Sequence, residues 1–295
     1  AYLYFPSDKD IVDHNPKSPN KTVRKIFEGG VAYKDFEVNI INKFYDEVDK
    51  YNEKASDKNN QMKLPYTWKQ ADTLRFLQSN KYNCTKTLES IRQHLIWRNE
   101  NIPKAITFKS MEILNSGFLY VHGRDCRFRP IIVVVTRYFF KYASRYSSSD
   151  WETAIIYLLE YILKNLFIPG QIEAWNIICD VQGVSIVFPP KDIKNIFNIF
   201  YENYKCRLNR MWLVNGGKYS AKIASKECFS DEYNKNRLEF TKQGNKEIFK
   251  HVHHSQVEIK FGGNAVNVKD YYFPPLFPSD EYFINHEDNS LIITE

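Results

Sequence analysis

Residues 130–136, PIIVVVT, residues 148–165, SSDWETAIIYLLEYILKN, and residues 175–180, WNIICD, read together as strand, helix, strand. The first is a nearly continuous apolar run, the pattern of a parallel strand buried on both faces. In the second, Ser149 and Glu152 have the spacing of a capping box, and the helix they open presents Ile155, Leu158, Leu159, Ile162 and Leu166. The third is a short strand closed by Asp180 and Gly183. Pro189 and Pro190 then precede a helix carrying Ile193, Phe197, Phe200 and Tyr204. MWLV at 211–214 is a further strand, stopped by Asn215–Gly216–Gly217, and RLEFT at 237–241 is a weaker fourth. Strand and helix in alternation predict an α/β fold, a mostly parallel sheet with crossover helices.

Upstream, the pattern is helical. From Phe36, the positions Ile40, Ile41, Phe44, Val48 and Tyr51 recur at helical spacing. A second helix is predicted from the N-cap Thr67, with Trp68, Ala71, Leu74 and Leu77 on one face. A third starts near Asn83, carries Cys84, Leu88, Ile91 and Leu95, and ends before Pro103. The expected division is an irregular N-terminal arm over 1–33, a small helical subdomain over 34–103, a sheet domain over 104–264 and a tail over 265–295.

Composition narrows the classes. The chain has 295 residues, 43% of them hydrophobic, with 41 Phe and Tyr, enough for a large core. No apolar run approaches the ~20 residues of a spanning helix. The opening AYLYFPSDKDIVDHN has neither the basic start nor the apolar segment of a signal peptide. Five widely spaced cysteines form no disulfide pattern and point to a reducing compartment, hence the cytoplasm. His251, His253 and His254 have no cysteine nearby, and no metal site is expected. The net charge of +6 is matched by the local balance of residues 205–250, eleven Lys or Arg against five acids, which suits an anionic membrane surface. No loop combines basic residues with stacking aromatics in a nucleic-acid module.

Catalytic motifs are missing. No Gly-x-Gly-x-x-Gly or Walker A sequence occurs, and Gly183–Val184–Ser185 lacks the final glycine of a nucleophile elbow. Asp125 and Asp180 stand at strand boundaries, where capping a turn accounts for them. No catalytic residue and no cofactor are assigned.

Five ordered pieces over residues 67–264 nevertheless match one family. Leu74, Arg75, Phe76 and Leu77 are followed by Lys81 and Tyr82, then by Trp97 and Arg98. Gly123, Asp125, Arg129 and Pro130 open the sheet domain, and Asp180, Gly183 and Ser185 close its central strand. WLVN ends at Asn215, and Lys260–Phe261–Gly262–Gly263 comes last. In this the chain resembles CRAL-TRIO lipid-binding and lipid-transfer proteins. The resemblance implies a sheet floor, a gating helix over a lipid pocket, and a bound phospholipid or similar lipid. The implied activity is transfer or presentation of that lipid between membranes, with peripheral and transient membrane association.

Candidate lining residues are Ile132, Val134, Trp175, Ile177, Trp212 and Val214, which alternate along three strands, with Phe197, Phe200, Tyr219 and Ile223 from the helices above them. Burying acyl chains contributes about 0.8 kcal/mol per methylene, and the membrane offers the lipid an equally apolar home, so the exchange is nearly balanced. The family's phosphatidylinositol-transfer members, typified by the yeast protein, bind the inositol headgroup with charged residues. Their basic pair falls on Asn80 and Lys81, their Tyr-Pro-Glu-Arg segment on Tyr204, Lys205, Cys206 and Arg207, and their small hydroxyl residues for phosphatidylcholine on Trp175 and Ile177. The gate lysine has only Lys222 and Lys226 nearby. Headgroup candidates are therefore Lys81, Arg207 and Lys222, which could meet a phosphatidylinositol or phosphoinositide. In the gate stretch 218–233, Tyr219, Ile223 and Phe229 form a thin apolar stripe beside Lys218, Lys222 and Lys226. The alternative function is a regulatory or scaffolding domain that keeps the fold and binds a protein partner.

Overall fold

The computed structural model describes residues 4–13, 15, 17–18, 21–55, 61–102, 105–182, 195–196, 198–216, 237–241 and 245–278. In the arm, α1 (Asp8–Ile11) leads into β1 (Val12–Asp13), which pairs antiparallel with β2 (Val23–Arg24). Three helices follow: α2 (Asp35–Lys54), α3 (Gln70–Ser79) and α4 (Cys84–Asn101). Their apolar faces meet in one cluster that holds Ile41, Phe44, Leu74, Leu77, Leu88 and Ile91, together with Phe27 of the arm. Asn83 caps α4 as its position predicts, its side chain accepting from Lys86 N at 2.9 Å. Thr67 does not cap α3. The cap is Lys69, whose N–H donates to the Asp72 carboxylate at 2.9 Å, while the turn from Pro65 to Trp68 holds Thr67 outside the helix.

Beyond α5 (Phe108–Leu114), β3 (Leu119–Arg124) and β4 (Pro130–Val135) form a hairpin, and α6 (Thr136–Tyr142) and α7 (Ser148–Asn165) lead to β5 (Trp175–Asp180). A π-turn, Ile199–Asn203, precedes β6 (Leu208–Val214), and β7 (Leu238–Phe240) completes the sheet. Its order is β3-β4-β5-β6-β7, antiparallel at β3/β4 and parallel elsewhere. The mostly parallel α/β sheet is thus as the alternation predicts. Three details differ. The box on α7 is Ser147 with Asp150, whose carboxylate accepts the Ser147 N–H at 2.9 Å, so Ser149 and Glu152 already lie inside the helix. Thr136 begins α6 instead of ending a strand, its hydroxyl donating to the Asp180 carbonyl at 2.7 Å. The edge strand β3 has no counterpart in the sequence reading.

Each face of the sheet has its own cover. One face, with Leu119, Val121, Ile132, Ile177, Met211 and Leu213, packs against α5 and α7. The other, with Tyr120, Ile131, Val133, Ile178, Trp212 and Val214, packs against Ile248, Val252, Val257 and Phe261 of the C-terminal segment. That segment continues along the β3 edge: the Leu276 carbonyl bonds His122 Nδ1 at 2.8 Å, and Phe273 rests on Tyr157 and Tyr161 of α7.

Two glycines explain why the resemblance motifs need that residue. At Gly123 the backbone is left-handed (φ +78°), and a Cβ would lie 2.0 Å from the Gln256 carbonyl oxygen. A Cβ at Gly263 would lie 1.9 Å from the Val257 carbonyl oxygen. The first lets the 254–265 segment lie directly on the hairpin, and the second lets that segment fold tightly back on itself. Lys260 of the same motif donates to Tyr120 OH at 2.6 Å and pairs with buried Glu258 at 2.9 Å, while Tyr120 OH donates to the other Glu258 oxygen at 2.7 Å. Asp125 accepts from Arg127 N, Arg129 N, Arg129 Nε and Asn176 Nδ2, all within 2.9 Å, so its work is the turn into β4.

Candidate functional site

The lining candidates divide between the two faces. Ile132, Trp175 and Ile177 are buried on the face toward α7, with Val134 and Phe200 partly buried against the same cluster. Trp212 and Val214 sit on the opposite face, under the C-terminal segment. The register explains this: Ile132 lies beside Ile177 and Ile177 beside Met211, whereas Trp212 lies beside Ile178. The β6 residues that share the candidate face are Met211 and Leu213. Phe197, Tyr219, Ile223 and Lys222, with the gate stretch 218–233 as a whole, lie outside the described residues.

Trp175 occupies the middle of an aromatic group. Phe167 stacks on it at 5.7 Å between ring centroids, and Tyr204 and Phe200 approach at 6.0 and 6.2 Å. Its indole Nε1–H is buried there and, among the described residues, has no hydrogen-bond partner. Leaving such a donor unpaired costs roughly 1–3 kcal/mol, so it marks a place where an acceptor would be welcome.

The two charged candidates among the described residues, Lys81 and Arg207, do not converge. Lys81 lies exposed in the turn between α3 and α4 with a left-handed backbone (φ 55°). Arg207 is largely buried: it donates to the Glu173 carbonyl at 3.0 Å, stands 3.7 Å from the Glu28 carboxylate and packs over the Phe167 ring. Burial and then the neighbouring Arg75 guanidinium lower its pKa to about 10. Cys206 is held in the seam between α3 and the start of β6, its thiol 3.3 Å from Gln78 Nε2 and 3.4 Å from the Arg75 carbonyl.

Arg207 instead joins a groove of about 520 Å³ between the helical segment and the sheet layer. That volume is in the range of small-molecule sites. Trp68, Phe76, His94 and Tyr204 supply aromatic walls, and Lys63, Arg75, Arg98, Lys205 and Arg207 supply cations. Arg98 pairs with Glu160 at 3.2 Å, and Tyr204 OH donates to the same carboxylate at 3.0 Å. His94 is buried against Phe76, with Nδ1 3.1 Å from Asn203 Oδ1, and burial lowers its pKa to about 4. Sequence reasoning named Arg75 and Arg98 as motif members without a ligand role. The signal available was their position in the Arg-Phe-Leu and Trp-Arg pieces; Lys205 stood in the Tyr-Pro-Glu-Arg segment without a role, and Lys63 carried no signal.

Glu173 joins the helical segment, the arm and the sheet. Its carboxylate accepts from Phe27 N, Glu28 N and Gly170 N, each at 2.9 Å, and pairs with Arg75 Nη2. Beside it, Arg24 and Glu37 are both fully buried and form a two-pronged pair at 2.8 and 2.6 Å.

Among the described residues no helix is long and apolar enough to cross a membrane, and no group of His, Cys, Asp and Glu could hold a metal ion. The chain belongs to the CRAL/TRIO domain family, whose profile matches residues 114–263, just over half of its length. Proteins of this family are non-catalytic lipid carriers. Among solved structures the chain is similar to Sfh5, known from its crystal structure. The likeness covers 86% of this chain and 98% of that one, with a TM-score of 0.57 and 14% identity, and so concerns the fold alone. No curated protein matches the chain.

Proposed function

We propose that this chain binds a phospholipid, of the phosphatidylinositol or phosphoinositide class, and carries or presents it between membranes from the cytoplasm. The carrying observation is the junction at Tyr204. This side chain belongs to the apolar cluster over Ile132, Trp175 and Ile177 and also lines the cationic groove with Arg98, Lys205 and Arg207. Apolar and cationic surfaces joined at one residue suit an amphiphile with acyl chains and an anionic head. In this reading Arg207 with Arg98 and Lys205 forms the cationic end that receives the anionic head, and Lys81, exposed in its turn, meets the membrane surface.

Native mass spectrometry with lipid extraction, on protein purified from a eukaryotic host, tests it. The expected result is one phospholipid per chain, exchangeable with anionic vesicles and weakened when Arg98 and Lys205 become Gln. Well-folded protein that carries no lipid and takes none from vesicles would sink the proposal and favour a regulatory or scaffolding role.

A further inference from the structure

A second, much smaller cavity lies on the other side of Cys206, between the arm and the starting ends of β4, β5 and β6. Its volume is about 30 Å³, room for about two water molecules or one halide-sized ion. The arm contributes Asp10, Arg24 and Lys25 to its walls, the sheet edge contributes Arg127, Arg129 and Arg237, and Glu173 adds a second carboxylate. Two of these cations are neutralised from behind: Arg24 by Glu37 and Arg129 by Asp125, the latter at 2.7 Å. Arg127 pairs with Asp10.

Lys25 differs from all of these. Its half-buried ammonium donates to the Lys9 carbonyl at 3.1 Å and, among the described residues, makes no ion pair. Burial first, and then repulsion from Arg129, hold its pKa below the ordinary lysine range despite Asp13 and Asp10. With Lys25 and four arginines against the carboxylates of Asp10 and Glu173, the wall of this polar void carries a local excess of positive charge at low dielectric. Such a place attracts a counter-ion.

We propose that this cavity binds a small inorganic anion, a halide or one oxygen of a free phosphate, held between Lys25 of the arm and the arginines at the sheet edge. The volume excludes a lipid headgroup, so the ion comes from solvent and the site is separate from the lipid reading above. Its consequence is mechanical. The anion adds a charge-assisted link between the arm and the sheet beside the one that Asp10 makes to Arg127.

Thermal unfolding of the whole chain in sodium gluconate tests this, with gluconate replaced stepwise by chloride in one arm and by phosphate in another at fixed ionic strength. The wild-type chain should show a saturable rise in Tm of roughly 3 °C or more with at least one of the two ions. Lys25→Gln should lose that rise, because the arginines that remain are already paired in part. A wild-type Tm that is the same in all three salts overturns the proposal. So does an equal rise in Lys25→Gln, which would assign the effect to general screening. Bromide exchanged for chloride in crystals gives a direct readout: anomalous density between Lys25 and Arg129 supports the site, and its absence at saturating bromide, where chloride had raised the Tm, counts against it.

Discussion

Replacing Glu173 with Gln removes one charge from the point where arm, helices and sheet meet. The carboxylate is 3% exposed and holds three backbone N–H groups at 2.9 Å as well as the Arg75 guanidinium. Gln keeps one acceptor oxygen, but its NH2 group must face donors, and Arg75 keeps only Glu28 at 3.2 Å and Asp72 at 3.7 Å. Removing one partner of a buried pair costs about 3–5 kcal/mol, because the other charge is left uncompensated. Chemical denaturation with two independent probes should show a loss of that size, and Tm should fall on the order of 10 °C. Proteolysis should meanwhile open the arm near residues 22–31 before the sheet. Lys69→Gln is the control: its lysine side chain is 63% exposed in the pair with Glu28, and surface pairs contribute about 0–1 kcal/mol. A loss below about 1 kcal/mol in Glu173→Gln would refute the reasoning, since it would mean that the three segments are held by apolar packing alone.

Two further outcomes can be read in the same protein. The folded pKa of His94, about 4, lies below its ordinary 6.5, so the unfolded chain takes up the proton first. Stability should be fully present above pH 6.5 and fall by up to about 1.4 kcal/mol per pH unit toward pH 4, and a His94→Gln variant with an unchanged slope would show the histidine is not responsible. If the unpaired Trp175 N–H meets a ligand carbonyl, diester phospholipid should bind roughly two- to tenfold tighter than its diether analogue, and Trp175→Phe should erase that ratio. Equal binding of both linkages to the wild type would remove Trp175 from the site without touching lipid binding itself.

The parallel sheet was legible because WNIICD and PIIVVVT are long apolar runs bounded by turn residues, and the helical segment because its apolar positions follow one period. The facing of β6 was not. Met211, Trp212, Leu213 and Val214 are all apolar and all buried, so a strand covered on both sides offers no alternation to read. An irregularity at its start adds to this: Trp175 lies beside Leu208, but Asn176 lies beside Arg210. The extra residue, Asn209, moves every later side chain to the other face relative to a simple count. The surroundings of the charged residues were hidden for a different reason. Arg207 reads from sequence as a free cation, yet its partners, Glu28 and Glu173, lie far away along the chain and become visible only once the arm is in place.

The two faces of the sheet differ in what they ask of a ligand, and this asymmetry bears on where a lipid belongs. On the face of Tyr120, the phenol that enters the apolar cluster is bonded to Glu258 and Lys260, so its polar atom is satisfied within the fold. The cover there is also fixed by Gly123 and Gly263, where even one methyl group would meet backbone. On the face of Trp175, the indole N–H that enters the cluster has no partner among the described residues, and the aromatic group around it ends at a groove rich in cations. An apolar ligand alone would leave the indole N–H unpaired, and an ion alone would leave the aromatic surface unused. A molecule that carries acyl chains, a carbonyl and an anionic head answers all three features at once, and those are the parts of a phospholipid.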